Sequence, residues 1–123
     1  MAPQSTLYQQ LGGEQGVASL VDNFIAEIAY DDTLFPYFAE SDVDRFRSKF
    51  IEHMCEVADG PCHYTGDSMF DIHVNMGVTE SVFNHTVDVL ISAMNKTGIA
   101  HRVQNRLLAR LAPMRKQIIY AER

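Results

Sequence analysis

The apolar residues Val17, Leu20, Val21, Phe24, Ile25 and Ile28 fall three and four positions apart, the spacing that lines one face of an α-helix. The same spacing returns in Phe46, Phe50, Met54 and Val57, in Phe83, Val87, Leu90, Ile91 and Met94, and in Val103, Leu107, Leu108, Leu111 and Met114. Sustained alternation of apolar and polar residues, the mark of a half-buried strand, is missing from the chain. No Asn-Gly or Asp-Gly joins two β-branched runs. A chain patterned this way buries its apolar stripes by packing helix on helix, which makes the expected fold class all-α.

Stop and start signals divide the pattern into five or six helices. A short helix opens at Ser5 or Thr6 and stops at Gly12-Gly13. The next covers residues 14–30 and is broken by Asp31-Asp32-Thr33. Leu34-Phe35-Pro36-Tyr37-Phe38 is an aromatic bend packed into the core. Ser41 is expected to cap a third helix, with Asp44 in a capping-box relation, running to Ala58 and ended by Asp59-Gly60-Pro61. Residues 60–68 are an irregular loop, followed by a short helix over 68–76 that carries Met69, Ile72, His73 and Met76. Thr79 caps a helix reaching Lys96, and Thr97-Gly98 stops it. The last helix starts near Ala100, and Pro113 should kink it or mark a restart.

Length and charge narrow the function classes. At 123 residues and 46% apolar, residues 1–123 suit one domain with its own core. The net charge is −6 and the basic residues are scattered, so no nucleic-acid footprint is present. No apolar stretch approaches membrane-spanning length, and Met1-Ala2-Pro3-Gln4 shows no signal-peptide pattern. The expected location is therefore cytoplasmic. Cys55 and Cys62 stand seven apart, which suits neither a zinc finger nor a disulfide framework. Two reduced thiols are expected.

Common catalytic motifs are absent. His53, His63 and His73 are ten apart, a spacing that places no two on one helical face as metal ligands, and there is no H-E-x-x-H or E-x-x-H. No G-x-S-x-G occurs, and Gly12-Gly13-Glu14-Gln15-Gly16 lacks the Gly-Lys-Ser/Thr ending of a phosphate loop. His73 lies on the apolar side of its short helix beside Ile72, Met69 and Met76. A lone histidine so placed is more often a core histidine whose hydrogen bonds are satisfied than a ligand, and position alone favours the former.

Several motifs follow one another in a fixed order. Leu7-Tyr8-x-x-Leu11-Gly12-Gly13 comes first, then Val21-Asp22-x-Phe24, Tyr37-Phe38 and Arg47-Ser48-Lys49. Tyr64-x-Gly66-x-x-Met69, His73 and x-x-Met76-Gly77-Val78-Thr79-x-x-x-Phe83 complete the series. From residue 7 to about residue 120, at nearly constant offset, the chain resembles the group I truncated haemoglobins. That resemblance implies a truncated globin fold, a two-over-two helical sandwich around one haem b. It places the proximal iron ligand on His73 and the aromatic wedged against haem on Phe38. The family's glycine pairs fall on Gly12-Gly13 and on Asp59-Gly60, the second with an aspartate where glycine is common. It offers Lys49 as a partner of a haem propionate or as a direct iron ligand, beside the plain reading of a solvated surface lysine. Tyr64, Met69 and Phe83 become candidate haem neighbours, with Thr86, Val87, Leu90, Leu108 and Leu111, all equally readable as core.

The chain departs from the family in the pocket. Ile25 stands where a tyrosine is common, and Phe46 and Phe50 stand where glutamines are common. O₂ held at a haem gains negative charge on its outer atom, which a donor in a dry pocket stabilises and an apolar wall does not. O₂ is therefore expected to bind weakly relative to CO. The leading function is binding of diatomic gases (O₂, CO, NO), in oxygen transport, sensing or nitric oxide chemistry, the last requiring a reductase. A redox or peroxidase-like haem enzyme is the first alternative, with Lys49 or His53 as its distal acid-base group. A cofactor-free helical interaction module is the second. No membrane or nucleic-acid partner is expected, and the chain is expected to be a monomer.

Overall fold

The computed structural model describes residues 5–119, and all regular structure among them is helical. Thr6 opens α1 (Leu7–Gln10) with a reciprocal cap. Its hydroxyl accepts from the Gln9 N–H at 3.1 Å, and its own N–H donates to Gln9 Oε1 at 3.0 Å. Gly12, at φ 101°, makes the left-handed corner into α2 (Gly13–Ala29). Helix α2 buries the predicted stripe, Val17, Leu20, Val21, Phe24 and Ile28, and packs chiefly on α6 (Glu80–Thr97) and α4 (Val43–Val57).

After α2 the Asp31 carboxylate accepts from the Thr33 and Leu34 N–H groups, at 3.0 and 2.9 Å. The turn points Leu34 into the core, and the aromatic bend forms one helical turn, α3 (Phe35–Phe38). Helix α4 is capped by Asp42, which accepts from the Arg45 N–H at 3.1 Å, and not by Ser41 as expected. A carboxylate at the positive end of a helix gains more than a hydroxyl, which favours the start one residue later.

Helix α5 (Met69–His73) is capped by Ser68 and stops short of Met76, because Val74 is extended and Asn75 and Gly77 take positive φ. Thr79 caps α6 and the left-handed Gly98 ends it. Buried Gln104 ties α7 (His101–Leu111) to that corner by donating to Asn95 Oδ1 at 2.8 Å and to the Ile99 carbonyl at 2.9 Å. Pro113 sits in a single 3₁₀ turn, beyond which α8 (Arg115–Ile118) packs on α5. No helix among the described residues is long and apolar enough to cross a membrane.

The two cysteines overturn the expectation of reduced thiols: Cys55 and Cys62 form a disulfide, with Cα atoms 5.7 Å apart. The sequence spacing conceals a sharp reversal. Asp59 takes a left-handed conformation (φ 62°), the backbone that a glycine pair would supply. Arg110 Nη1 fixes it, bonding the Asp59 carboxylate at 2.7 Å and the Val57 carbonyl at 2.9 Å. Gly60 then passes directly over α4. A Cβ there would meet Cys55 Sγ at 2.6 Å and the Tyr8 ring at 2.7 Å.

The buried core is one cluster drawn from α1, α2, α4, α6, α7 and their corners, with no member from α5.

Candidate cofactor site

His73 ends α5, half-buried, with its Nδ1 2.7 Å from the Met69 carbonyl oxygen. A carbonyl only accepts, so Nδ1 carries the proton and Nε2 keeps its lone pair. Burial holds His73 below its ordinary value of 6.5, against the pull of the Met69 hydrogen bond. A neutral imidazole fixed in this tautomer is prepared to ligate a metal through Nε2. Met69 on α5, Met76 just after it, and Phe83 and Val87 on α6 are likewise half-buried, and none is among the residues packed on the core cluster. The helix that carries His73, the segment after it and the start of α6 thus carry apolar surface that the core leaves partly uncovered. No group of three or more His, Cys, Asp or Glu side chains among the described residues could hold an ion unaided. A single imidazole beside apolar surface suits a flat, apolar macrocycle that brings its own metal ligands.

A second group lies where α2, α3 and α4 meet. Phe38, Phe46, Phe50 and Phe24 form a continuous ladder, with successive ring centroids 5.1, 5.5 and 5.2 Å apart. Ile25, Phe38 and Phe46 also wall an apolar cavity of about 80 Å³ with Ile28 and Val43. None of Ile25, Phe46 and Phe50 has a hydrogen-bond donor to offer at its tip.

The third group joins α4 to the loop over 60–68. Lys49 Nζ donates to Thr65 Oγ1 at 2.5 Å and lies 3.8 Å from Glu52 Oε1. Thr65 gives its N–H and its hydroxyl to Glu52, at 2.9 and 2.7 Å. These bonds hold the Glu52 carboxyl below its ordinary range. The Tyr64 N–H donates to Glu56, the Tyr64 hydroxyl donates to the Asp67 carbonyl at 2.7 Å, and its ring lies 4.9 Å from that of His53.

The structure therefore places the predicted residues in separate sets. Ile25, Phe38, Phe46 and Phe50 meet in one, Lys49 and Tyr64 belong to the loop contacts, and Met69 and His73 form a pair. Phe83 sits in the first turn of α6. Glu52, Glu56 and Thr65 were not expected. The pattern at 49, 52, 53 and 56, a polar stripe on one helical face, was the available signal for them. His85 was also unmarked, yet its Nε2 lies 2.6 Å from Asp31 Oδ2 and ties α6 to the α2–α3 turn.

Known proteins supply a frame for this geometry. The bacterial-like globin family model matches residues 6–120. The group 1 truncated hemoglobin of Mycolicibacterium paratuberculosis is 26% identical over 121 residues, covering 98% of this chain and 89% of that protein. The ferric truncated hemoglobin of Tetrahymena pyriformis has a similar structure, with a TM-score of 0.89 at 23% identity over 94% of this chain and 98% of that one. The 2/2 hemoglobin of Synechococcus, solved in the cyanomet state with covalently attached heme, gives a TM-score of 0.86 at 19% identity, with the same coverage of both chains. At such identities the structural likeness speaks for the fold, which is the two-over-two helical sandwich.

Proposed function

The chain belongs to the bacterial-like globin family, and on that premise we propose that it is a single domain holding one haem b, with His73 as proximal ligand, that binds diatomic gases. The observation that carries this reading is the 2.7 Å contact between His73 Nδ1 and the Met69 carbonyl, which leaves Nε2 for iron. When bound, the haem supplies an iron centre able to take O₂, CO or NO.

The protein's own part is to hold and enclose that centre. Phe38, Phe46 and Phe50, with Ile25, keep the distal side apolar and exclude water. Having no donors, they favour CO over O₂. Tyr64, Met69 and Phe83 border the haem, and Lys49 stands at its edge. For Lys49 to meet a propionate, its ammonium must exchange the Thr65 hydroxyl for a carboxylate, which suits a charged donor. Coordination of iron would also cost it the Glu52 pairing and a proton, so the propionate reading is preferred.

A peroxidase-like role loses support, because the Lys49 ammonium is bonded to Thr65 and the His53 ring faces Tyr64. A cofactor-free interaction module does not account for the family match or for the poised His73. We place the protein in the cytoplasm as a monomer, with a separate reductase wherever turnover consumes electrons.

Absorption spectra of the ferric, ferrous and ferrous-CO protein test this function. The wild type should show a globin-type Soret band that His73→Ala disrupts. Absence of that band in the wild type, even after addition of haem, would overturn the proposal.

A further inference from the structure

The disulfide stands at a mechanically significant point of the chain. The loop over 60–68 is the only covalent path from α4, which carries the aromatic wall, to α5, which carries His73. Apart from the Cys55–Cys62 bond and the neighbouring Gly60 N–H, which donates to the Cys55 carbonyl at 2.7 Å, this loop is held to α4 by contacts of Thr65 with Lys49 and Glu52, of Tyr64 with Glu56, and of the Tyr64 ring with His53. The hydrogen bonds among these are solvent-exposed, and such contacts hold weakly and are screened by salt. Beyond Gly60, the covalent bond is the strongest attachment of the loop to α4 among the described residues.

Its two sulfurs differ in access. Cys55 is 1% exposed beneath Gly60 and the Tyr8 ring, whereas Cys62 is half-buried on the loop. Beyond Cys62 the loop leads directly to the iron-ligand helix. The Tyr64 hydroxyl binds the Asp67 carbonyl, Ser68 caps α5, and the next residue, Met69, provides the carbonyl that orients His73. In a reducing compartment a disulfide is ordinarily transient and redox-sensing rather than a permanent staple.

We propose that Cys55 and Cys62 are a redox-modification site acted on by a cellular dithiol reductant, and that the state of this pair sets how firmly the 60–68 loop holds α5. A thiolate of the reductant attacks Cys62 Sγ, the more accessible sulfur. A bond forms between that thiolate and Cys62, the Cys55–Cys62 bond breaks, and its electron pair leaves on Cys55, which takes up a proton. The second thiol of the reductant, as thiolate, then attacks the reductant's own sulfur in the mixed disulfide. This releases Cys62, which is protonated in turn. Two electrons and two protons pass from the dithiol to the pair, and the reductant leaves as a disulfide. Re-oxidation is the reverse exchange with a disulfide oxidant of the same class.

The consequence for iron ligation rests on the haem-binding reading, whereas the redox site rests only on the proposed cytoplasmic location. The test uses the purified holoprotein, equilibrated in dithiothreitol redox buffers under native conditions. Alkylation and mass measurement count thiols, and amide hydrogen exchange is followed at Tyr64 and Thr65. The iron–histidine band is recorded by resonance Raman spectroscopy. Both cysteines, alkylated after acid quenching and denaturation, should be counted as thiols together at reductant levels at which the protein remains folded. Exchange at Tyr64 and Thr65 should rise several-fold on reduction, and the iron–histidine band should shift. Cys62→Ser should reproduce the reduced behaviour without reductant. If that variant fails to fold, reduction of the wild type gives the same comparison. A bond that resists reduction until the protein unfolds would overturn the proposal, as would reduction that leaves exchange unchanged. Faster exchange with an unmoved iron–histidine band would overturn the link to His73. A chain that takes no haem still yields its thiol count and exchange rates, which separates failure of the redox site from failure of the haem reading.

Discussion

Ile25, Phe46 and Phe50 are the residues on which ligand preference should turn. In the proposed haem pocket each would present an apolar tip to the bound gas, and Phe46 and Phe50 stack at 5.5 Å within the aromatic ladder. A hydrogen bond to a charged acceptor contributes about 1.5–3 kcal/mol, which corresponds to about ten-fold or more in a rate constant. Phe46→Gln and Ile25→Tyr should therefore slow O₂ release by about ten-fold or more while changing CO release far less. Stopped-flow displacement of O₂ by CO measures both, and equal effects on the two gases would refute the argument. Phe50→Gln should give a smaller gain and also destabilise the fold, because it breaks the contact with buried Phe24 at 5.2 Å. At this scale the chain shows its residue types plainly, the apolar Ile25, Phe46 and Phe50 and the candidate His73, while their roles rest on the haem-binding proposal. The hydrogen bond that fixes the His73 tautomer could not be read from the chain, because its acceptor is a backbone oxygen whose position depends on α5 being formed.

Helices were legible because apolar periodicity and capping signals act along the chain. Thr6, Thr79, Gly98 and Pro113 mark boundaries where expected. The start of α4 shifted by one residue because Ser41 and Asp42 are both competent caps, and the carboxylate's advantage at the positive end of the helix decides between them. Asp42→Ala should thus cost about 1 kcal/mol of stability, and Ser41→Ala only a few tenths. Urea unfolding of the two variants distinguishes them, and the reverse order would restore the Ser41 boundary. What links one element to another was less legible. The Cys55–Cys62 bond and the grip of Glu52 and Glu56 on the loop act across the chain, where no periodicity reports them. The bond depends on the left-handed Asp59 and the closely packed Gly60 bringing residues seven apart face to face. Composition alone favours free thiols at such a spacing, so the disulfide emerges only from the folded reversal.

Across the whole molecule, buried titratable groups set the response to acid. Burial holds His53 below its ordinary value of 6.5, with only a smaller opposing pull from Glu56. As pH falls below 6.5, the unfolded chain protonates this histidine while the folded chain resists. The stability from this source is complete above about 6.5 and is lost as pH falls through the lowered folded value. Asp31 responds in a more acidic window. Against the cost of burial, the Leu34 and Thr33 N–H groups and His85 hold its carboxyl below 3.8. Its contribution is therefore present above 3.8 and disappears as pH falls through its folded value. Two acid limbs should appear in a plot of urea midpoint against pH. His53→Gln, which cannot take up the proton, should reduce the limb just below 6.5, to which His73 also contributes, and leave the more acidic one in place. Asp31→Asn should do the opposite, weakening the α2–α3 turn at neutral pH and removing its acid limb. Identical profiles for His53→Gln and the wild type between pH 6.5 and 5 would mean that His53 is solvated in the folded protein, and the packing of the 60–68 loop over α4 would then be looser than its contact with Tyr64 implies.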